Sequence, residues 1–156
     1  MSQVKWNGDE VFLKVFDQTI RNLNTLGNAM KKDIKESMKP GTGRIYPSRT
    51  GKGTHQASKP FYPPAPDTKD LKNAIKSEVT VEGTDIHLKV GVLGNEEDVA
   101  YPYYLEIGTF KMAPRPYIRP CLERFRPRIV AIIGKPYRIS VTPSTPDIEE
   151  IASLTS

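Results

Sequence analysis

One apolar stripe near the start of the chain constrains its fold more than any other feature. Its members recur every three or four residues: Phe12, Phe16, Ile20, Leu23, Leu26, Met30, Ile34 and Met38. That spacing puts them on one face of an α-helix, which Asn7 or Gly8 is expected to cap and Pro40-Gly41 to stop. A helix of about 30 residues is roughly 45 Å long. Few globular helices reach that length, so we expect one end to extend beyond its own core.

The stretch from residue 39 to 68 has neither helical nor strand periodicity. It contains six prolines and four glycines, and loops this long in compact domains are usually functional or disordered. Residues 61–66 favour polyproline geometry, and 30 extended residues span on the order of 100 Å. We therefore expect an extended arm, with residues 41–66 on a neighbouring subunit or connector ring rather than on their own core.

Two runs with strand periodicity follow the arm. Residues 74–81 and 86–92 flank a polar turn at 82–85, which is the pattern of an antiparallel hairpin. One face of the second run is apolar and is expected to be buried: Ile86, Leu88, Val90 and Val92.

A short helix is predicted over residues 99–107, with Tyr104 and Leu105 facing inward. A Pro/Gly-rich loop over 108–116 leads from this helix to the next one.

The next helix is predicted over residues 118–133. Pro120 suits its first turn, whereas Pro127 is expected to kink or divide it. Residues 137–141 predict a final strand, and an acidic tail follows over 143–156.

Together these elements predict one α+β domain over residues 1–142. A long N-terminal helix and a C-terminal helix pack on a small antiparallel sheet, and the arm at 39–68 belongs to this domain.

The net charge of +5 is distributed in alternating blocks. Residues 39–72 and 101–135 each carry +5, whereas residues 73–100 carry −4. Alternating blocks suit a subunit that docks on its own copies or on unlike partners, although an ordinary solvated surface also gives such scatter. We expect assembly to depend on pairing between the basic blocks and acidic residues 78–98.

The chain offers little for catalysis or metal binding. The single cysteine, Cys121, excludes an intrachain disulfide, and we expect it to be a buried small hydrophobe. His55 and His87 have no ligand partner at useful spacing. Residues 48–54 resemble a phosphate loop only faintly, because no apolar strand precedes them and no helix follows. We expect no enzymatic activity, no catalytic or metal site and no cofactor.

No apolar run approaches the length of about 18 residues that indicates a transmembrane helix. The first residues lack an apolar signal core, so we expect an intracellular soluble protein.

Residues 101–120 combine four tyrosines with basic residues, a phenylalanine and a methionine. Tyrosine and arginine are the preferred anchors of protein interfaces, and aromatic–basic interleaving also suits single-stranded nucleic acid. A core loop held by prolines is the alternative. Within this segment we expect Glu106 to pair with Arg115 or Arg119, or to accept backbone N–H groups from the 108–112 turn.

This segment resembles the signature of the tail-component, or tail-completion, family of tailed phages, whose members are encoded among head–tail joining genes. The signature is a tyrosine, leucine, glutamate and Gly-Thr block followed by an Arg-Pro-aromatic block that opens the last helix. Residues 101–109 and 111–120 match these two blocks.

The arm also resembles that family, through its proline-rich stretch and the Asp67-Thr68 dipeptide before Leu71. The chain departs from the family at two positions. Lys69 stands where a glycine is usual, and Phe61 stands where a glycine is common.

The resemblance implies a non-enzymatic virion protein at the phage neck, assembled in the host cytoplasm. It implies a homo-oligomeric ring, expected to be six-fold, between the connector and the tail tube. Its partners would be connector or stopper, tail-terminator or tail-tube proteins, with genomic DNA in the lumen and no membrane.

The interface candidates are the aromatic and charged residues of the arm and of the 101–120 segment: Arg44, Arg49, Lys52, Phe61, Tyr62, Tyr101, Tyr103, Tyr104, Glu106, Lys111, Arg115, Tyr117 and Arg119. The alternative function is a nucleic-acid-binding accessory protein that uses the basic segments 39–72 and 101–135.

Overall fold

A computed structural model describes residues 8–67, 69–94 and 96–133. Their elements are, in chain order, α1 (Gly8–Ser37), β1 (Ile45–Pro47), β2 (Thr54–Gln56), α2 (Asp70–Ala74), β3 (Ile75–Glu82), β4 (Asp85–Val92), α3 (Glu96–Ile107) and α4 (Arg119–Ile133). This arrangement confirms the α+β class. The cap at Asn7, the strand at 137–141 and the tail at 143–156 lie outside the described residues.

Helix α1 forms as its apolar stripe predicts, and only its second half reaches the core. Leu26, Met30 and Ile34 are buried, whereas Phe12 near the N-terminal end is 55% exposed. Phe12 stacks on Phe16, with ring centroids 5.8 Å apart. The expectation that one end extends beyond its own core is confirmed.

Strands β3 and β4 form an antiparallel hairpin, in register from Ile75 opposite Val92 to Glu82 opposite Asp85. Helix α1 crosses this sheet closely at Gly27, where an added Cβ would lie 2.7 Å from Leu88 Cδ1. The predicted hairpin is confirmed. The apolar face of β4 packs against the core and is half-buried rather than fully buried.

Helix α3 turns Leu105 into the core and leaves Tyr104 48% exposed, so the inward orientation predicted for Tyr104 is wrong. Pro102 and Leu105 are both buried, and a spacing of three residues puts them on one helix face. Tyr104 is rotated by about 100° from Leu105 and therefore faces outward.

Helix α4 continues through Pro127 as one element of 15 residues; of the two predicted effects of Pro127, a kink or a division, the division does not occur. Pro127 and Glu123, four residues earlier, are both exposed. The Glu123 carbonyl, which loses its helical partner to the proline ring, therefore lies on the solvent side, where water can satisfy it.

The arm is folded on its own domain, which corrects the expectation for residues 41–66. Strands β1 and β2 pair antiparallel, although neither had a recognisable period. Gly43 N donates to Ala57 O at 2.7 Å, and Phe61 N donates to Pro114 O at 2.8 Å. Ala57 and Ser58 are buried. Backbone pairing and burial thus fix the base of the arm within the subunit.

Close backbone approach makes this folding possible. An added Cβ on Gly41 would lie 1.9 Å from Gln56 O, so any side chain there would displace the returning strand. The core itself joins α1 to β3, to Leu105 of α3, to Tyr117 just before α4, and to Cys121 and Phe125 within α4.

Candidate interaction surface

The α3–α4 corner, residues 105–119, is organised by the carboxylate of Glu106. Its Oε2 accepts the backbone N–H groups of Tyr117 at 2.8 Å and Ile118 at 3.0 Å. Its Oε1 accepts the N–H of Arg119 at 2.9 Å. These donors lie at the start of α4, where backbone N–H groups lack helical partners and the helix dipole favours a negative charge. Glu106 therefore joins the end of one helix to the start of the next.

This arrangement corrects the predicted partners of Glu106. Among the described residues, no ion pair joins it to Arg115 or Arg119. The backbone donors come from 117–119 and not from the 108–112 turn. The backbone of Arg115 contributes separately, because Arg115 N donates to Leu105 O at 2.7 Å.

The loop between the helices is tightly turned. Gly108 has a φ of 79°, and an added Cβ there would lie 2.8 Å from Pro114 N. Thr109 N donates to Met112 O at 2.8 Å, and Met112 N donates to Thr109 O at 3.2 Å. These bonds hold Phe110 at the tip of the turn, where its side chain is 95% exposed.

Tyr117 belongs to the core and not to an interaction surface. It is 1% exposed, and its hydroxyl donates to Pro102 O at 3.4 Å. Burial, together with the nearby Glu106 carboxylate, raises the pKa of Tyr117 well above its ordinary value. Its placement among the interface candidates is therefore wrong.

Several other candidates have exposed side chains. Phe61 and Tyr62 lie on the arm, and Tyr101, Tyr103 and Tyr104 lie on α3. Tyr103 and Tyr104 contact edge to face, with ring centroids 5.9 Å apart. Sequence reasoning did not include Phe110 among the interface candidates. Its position between the turn residues of 108–116 is the sequence feature that could have indicated its exposure.

The exposed arm residues include Arg44, whose guanidinium lies 5.6 Å from the ring centroid of Tyr46. Lys52 lies in the turn of the β1–β2 hairpin and is exposed, as are Arg49 and Arg119. Each of these four positions is accessible to a partner.

A groove lined by the arm, by α2 and by the 108–116 loop has a volume of about 810 Å³. We call it the basic groove, because five cationic side chains line it: Arg49, Lys69, Lys72, Lys111 and Arg115. Asp67 and Asp70 supply its carboxylates, and Tyr46 and Tyr101 supply aromatic surface. Four of the candidates therefore meet here: Arg49, Tyr101, Lys111 and Arg115.

Asp67 holds the arm hairpin against one side of this groove. Its carboxylate accepts Ser48 Oγ at 2.7 Å and Arg49 N at 2.9 Å, and His55 Nδ1 lies 4.0 Å from Asp67 Oδ1. The backbone N–H of Arg49 and the Ser48 hydroxyl hold the pKa of Asp67 below its ordinary value. Residues 48–54 thus form a hairpin turn anchored by a carboxylate.

Arg115 is the least satisfied cation of the groove. Its side chain is half-buried, and its Nε atom is buried with no hydrogen-bond partner among the described residues. Buried polar atoms are nearly always paired. The Nε–H group of Arg115 is therefore left unpaired within the described residues, on a side chain that lines the groove.

Cys121 is fully buried, as predicted. Burial, and then a hydrogen bond with Asp33, raises the pKa of its thiol to about 12. Asp33 also contacts Arg124 at 2.5 Å. A thiol with such a pKa is a poor nucleophile at neutral pH.

A second groove, of about 560 Å³, has mainly apolar walls contributed by α1, β4 and α4. It continues the hydrophobic core outward between Leu23, Leu88 and Ile129.

Within residues 8–67, 69–94 and 96–133, no three His, Cys, Asp or Glu side chains are grouped as metal ligands. No helix in the same ranges has the length and apolar character needed to span a bilayer. Comparison with protein-family models, curated proteins and solved structures finds no match to this chain.

Proposed function

We propose that this chain is a structural subunit of a tailed-phage neck, a tail-completion or head–tail connector protein. It acts without catalysis as part of a homo-oligomeric ring between the connector and the tail tube. Its place is the virion, after assembly in the host cytoplasm.

The main support for the proposal is the backbone conformation at two positions. Among the described residues, Phe61 and Lys69 are the two non-glycine residues with positive φ, at 67° and 68°. Glycine adopts this region without steric cost, whereas other residues do not. At these two positions the chain departs from the resembled family, in which glycine is usual at the position of Lys69 and common at that of Phe61. The backbone conformation supports the resemblance at the positions where the side chains depart from it.

The family-like signature also has a structural explanation. Leu105 enters the core, Glu106 binds the start of α4, and Gly108 adopts positive φ. These roles fix the corner between α3 and α4, whereas neighbouring Tyr103 and Phe110 face solvent. Exposed aromatics in this number favour association with a protein partner.

The mass of the purified full chain, measured by native mass spectrometry and by negative-stain imaging, tests the proposal. We expect a closed ring of identical subunits. A double variant, Phe61→Ser with Tyr103→Ser, is expected to lower the assembled fraction without unfolding the monomer, because both side chains are exposed.

Phe12→Ser with Leu13→Ser is the matched control, since it removes two exposed apolar side chains from a distant helix end. A chain that remains monomeric at every concentration contradicts the proposal.

The cations of the basic groove favour nucleic-acid binding as the second candidate. Under this alternative, the monomer itself is expected to bind single-stranded or duplex DNA, with an affinity that falls steeply as the salt concentration rises. Salt-dependent DNA binding by a chain that forms no ring supports this alternative.

A further inference from the structure

We propose that the basic groove of one copy binds the tip of the β3–β4 hairpin of a second copy. The tip is the four-residue turn from Glu82 to Asp85. This inference rests on the proposed function and deepens it, because it names the contact that joins neighbouring subunits.

The hairpin tip carries an uncompensated pair of like charges. Glu82 and Asp85 are direct cross-strand partners, and the whole tip is exposed. Like charges directly opposite one another destabilise a hairpin. Neither carboxylate forms an ion pair within the described residues. The tip is therefore suited to a cationic partner that its own subunit does not provide.

The basic groove offers the complementary charges. Lys69, immediately before α2, and Lys111, in the 108–116 loop, both line it. Neither they nor Arg115 form an ion pair within the described ranges, and Arg115 Nε has no hydrogen-bond partner there. Asp67, by contrast, is bound to Ser48 and Arg49.

The groove also offers volume and aromatic surface to a narrow hairpin tip. Paired strands lie about 5 Å apart, so a two-stranded tip is a narrow wedge, and the groove volume is about 810 Å³. Tyr46 and Tyr101 provide apolar walls for Val81, which is 45% exposed beside the tip.

No residue of the tip lines the groove of its own subunit. The contact therefore joins two copies, and it is heterologous, because it uses a different surface on each. Heterologous contacts that repeat through a closing rotation generate rings.

Charge reversal tests the contact in the full-length chain. The tip variant is Glu82→Lys with Asp85→Lys, and the groove variant is Lys69→Glu with Lys111→Glu. All four side chains are exposed, so both variants are expected to keep the thermal midpoint of the wild type. Glu10→Lys with Asp17→Lys is the matched control for the tip variant, because it makes the same charge change on the exposed face of α1.

Sedimentation velocity measures assembly. We expect each of the two variants alone to raise the dissociation constant for subunit association at least about tenfold, and the α1 control to leave it within twofold. An equimolar mixture of the tip and groove variants is expected to recover assembly, because the reversed tip matches the reversed groove and the native tip of the groove variant matches the native groove of the tip variant. A chain carrying all four reversals is expected to recover assembly.

Three outcomes separate the possible failures. A wild-type chain that forms no assembly overturns both this inference and the proposed function. A wild-type ring that the tip variant forms equally well overturns this inference alone. Loss of DNA binding in the groove variant, with assembly unchanged, assigns the groove to nucleic acid and overturns the hairpin contact.

Discussion

The carboxylate of Glu106 at the end of α3 accepts the backbone N–H of Tyr117 at 2.8 Å, immediately before α4 begins. Two further N–H groups bind the same carboxylate, so one side chain fixes the angle between two helices. Removal of its charge tests how much stability this corner provides.

Glu106→Gln keeps the shape of the side chain and replaces one acceptor oxygen with a donor nitrogen. At least one of the three N–H groups then loses its partner, and the remaining bonds lose their charge assistance. We expect the free energy of unfolding to fall by about 1–3 kcal/mol, as measured by urea denaturation. Glu123→Gln on the exposed surface of α4 is the control, and an equal loss in both variants contradicts the role of Glu106.

The left-handed backbone at Lys69 predicts a stabilising substitution. Lys69→Gly removes a steric cost of roughly 1–2 kcal/mol and adds an entropic cost of about 0.5–1 kcal/mol, so stability is expected to rise by about 0.5–1 kcal/mol. Lys72→Gly, three residues on within α2, is expected to lower stability by about 1 kcal/mol. Thermal denaturation of both variants measures the contrast, and a fall in both midpoints argues against strain at Lys69.

The buried thiol of Cys121 is expected to react slowly with a disulfide reagent at pH 8. Its pKa of about 12 keeps it protonated in the folded state, whereas urea exposes it and restores reaction. Because this pKa is raised above the unfolded value of 9.0, its contribution to stability is complete below pH 9 and is lost as the pH rises toward 12. Cys121→Ala is expected to flatten that pH dependence, and rapid labelling of the native chain contradicts the burial.

The bonds from Ser48 and Arg49 to Asp67 make the arm hairpin sensitive to acid. The pKa of Asp67 is depressed by the Arg49 N–H and then by the Ser48 hydroxyl. The carboxylate therefore stabilises the hairpin above its unfolded pKa of 3.8 and loses that effect as the pH falls through the lower, folded value.

Asp67→Asn is expected to reduce hydrogen-exchange protection at Arg49 and Gly51 at neutral pH, while α1 stays protected. Asp17→Asn, at an exposed position of α1, serves as the comparison. Unchanged hydrogen-exchange protection in the Asp67 variant would contradict this prediction, because the hairpin would then be held by its backbone hydrogen bonds alone.

Periodic patterns predicted the elements whose burial depends on spacing. The stripe through Leu26 and Ile34 identified α1, and alternation in residues 86–92 identified β4. Each such pattern reflects one face packed against a core, and it is visible without knowledge of the partner.

The features that sequence reasoning missed depend on contacts between distant residues. The folding of the arm depends on the approach of Gly41 to Gln56, which no local period records. Tyr117 is buried and Tyr103 is exposed, because tyrosine suits either environment and only packing decides. The need of Glu106 for partners is predictable from its apolar neighbours in sequence, but the three N–H groups that it binds become neighbours only when α3 and α4 meet.

The bonds to Glu106 also determine what the start of α4 can no longer bind. Helix N-termini are common sites for phosphate groups. Here the N–H groups of Ile118 and Arg119 are bound to a resident carboxylate, and Pro120 has no N–H to offer. A phosphate group brought to this corner would find both of these N–H groups already bound to the chain's own carboxylate. It would depend on Lys and Arg side chains instead, and their contribution to affinity falls as salt rises.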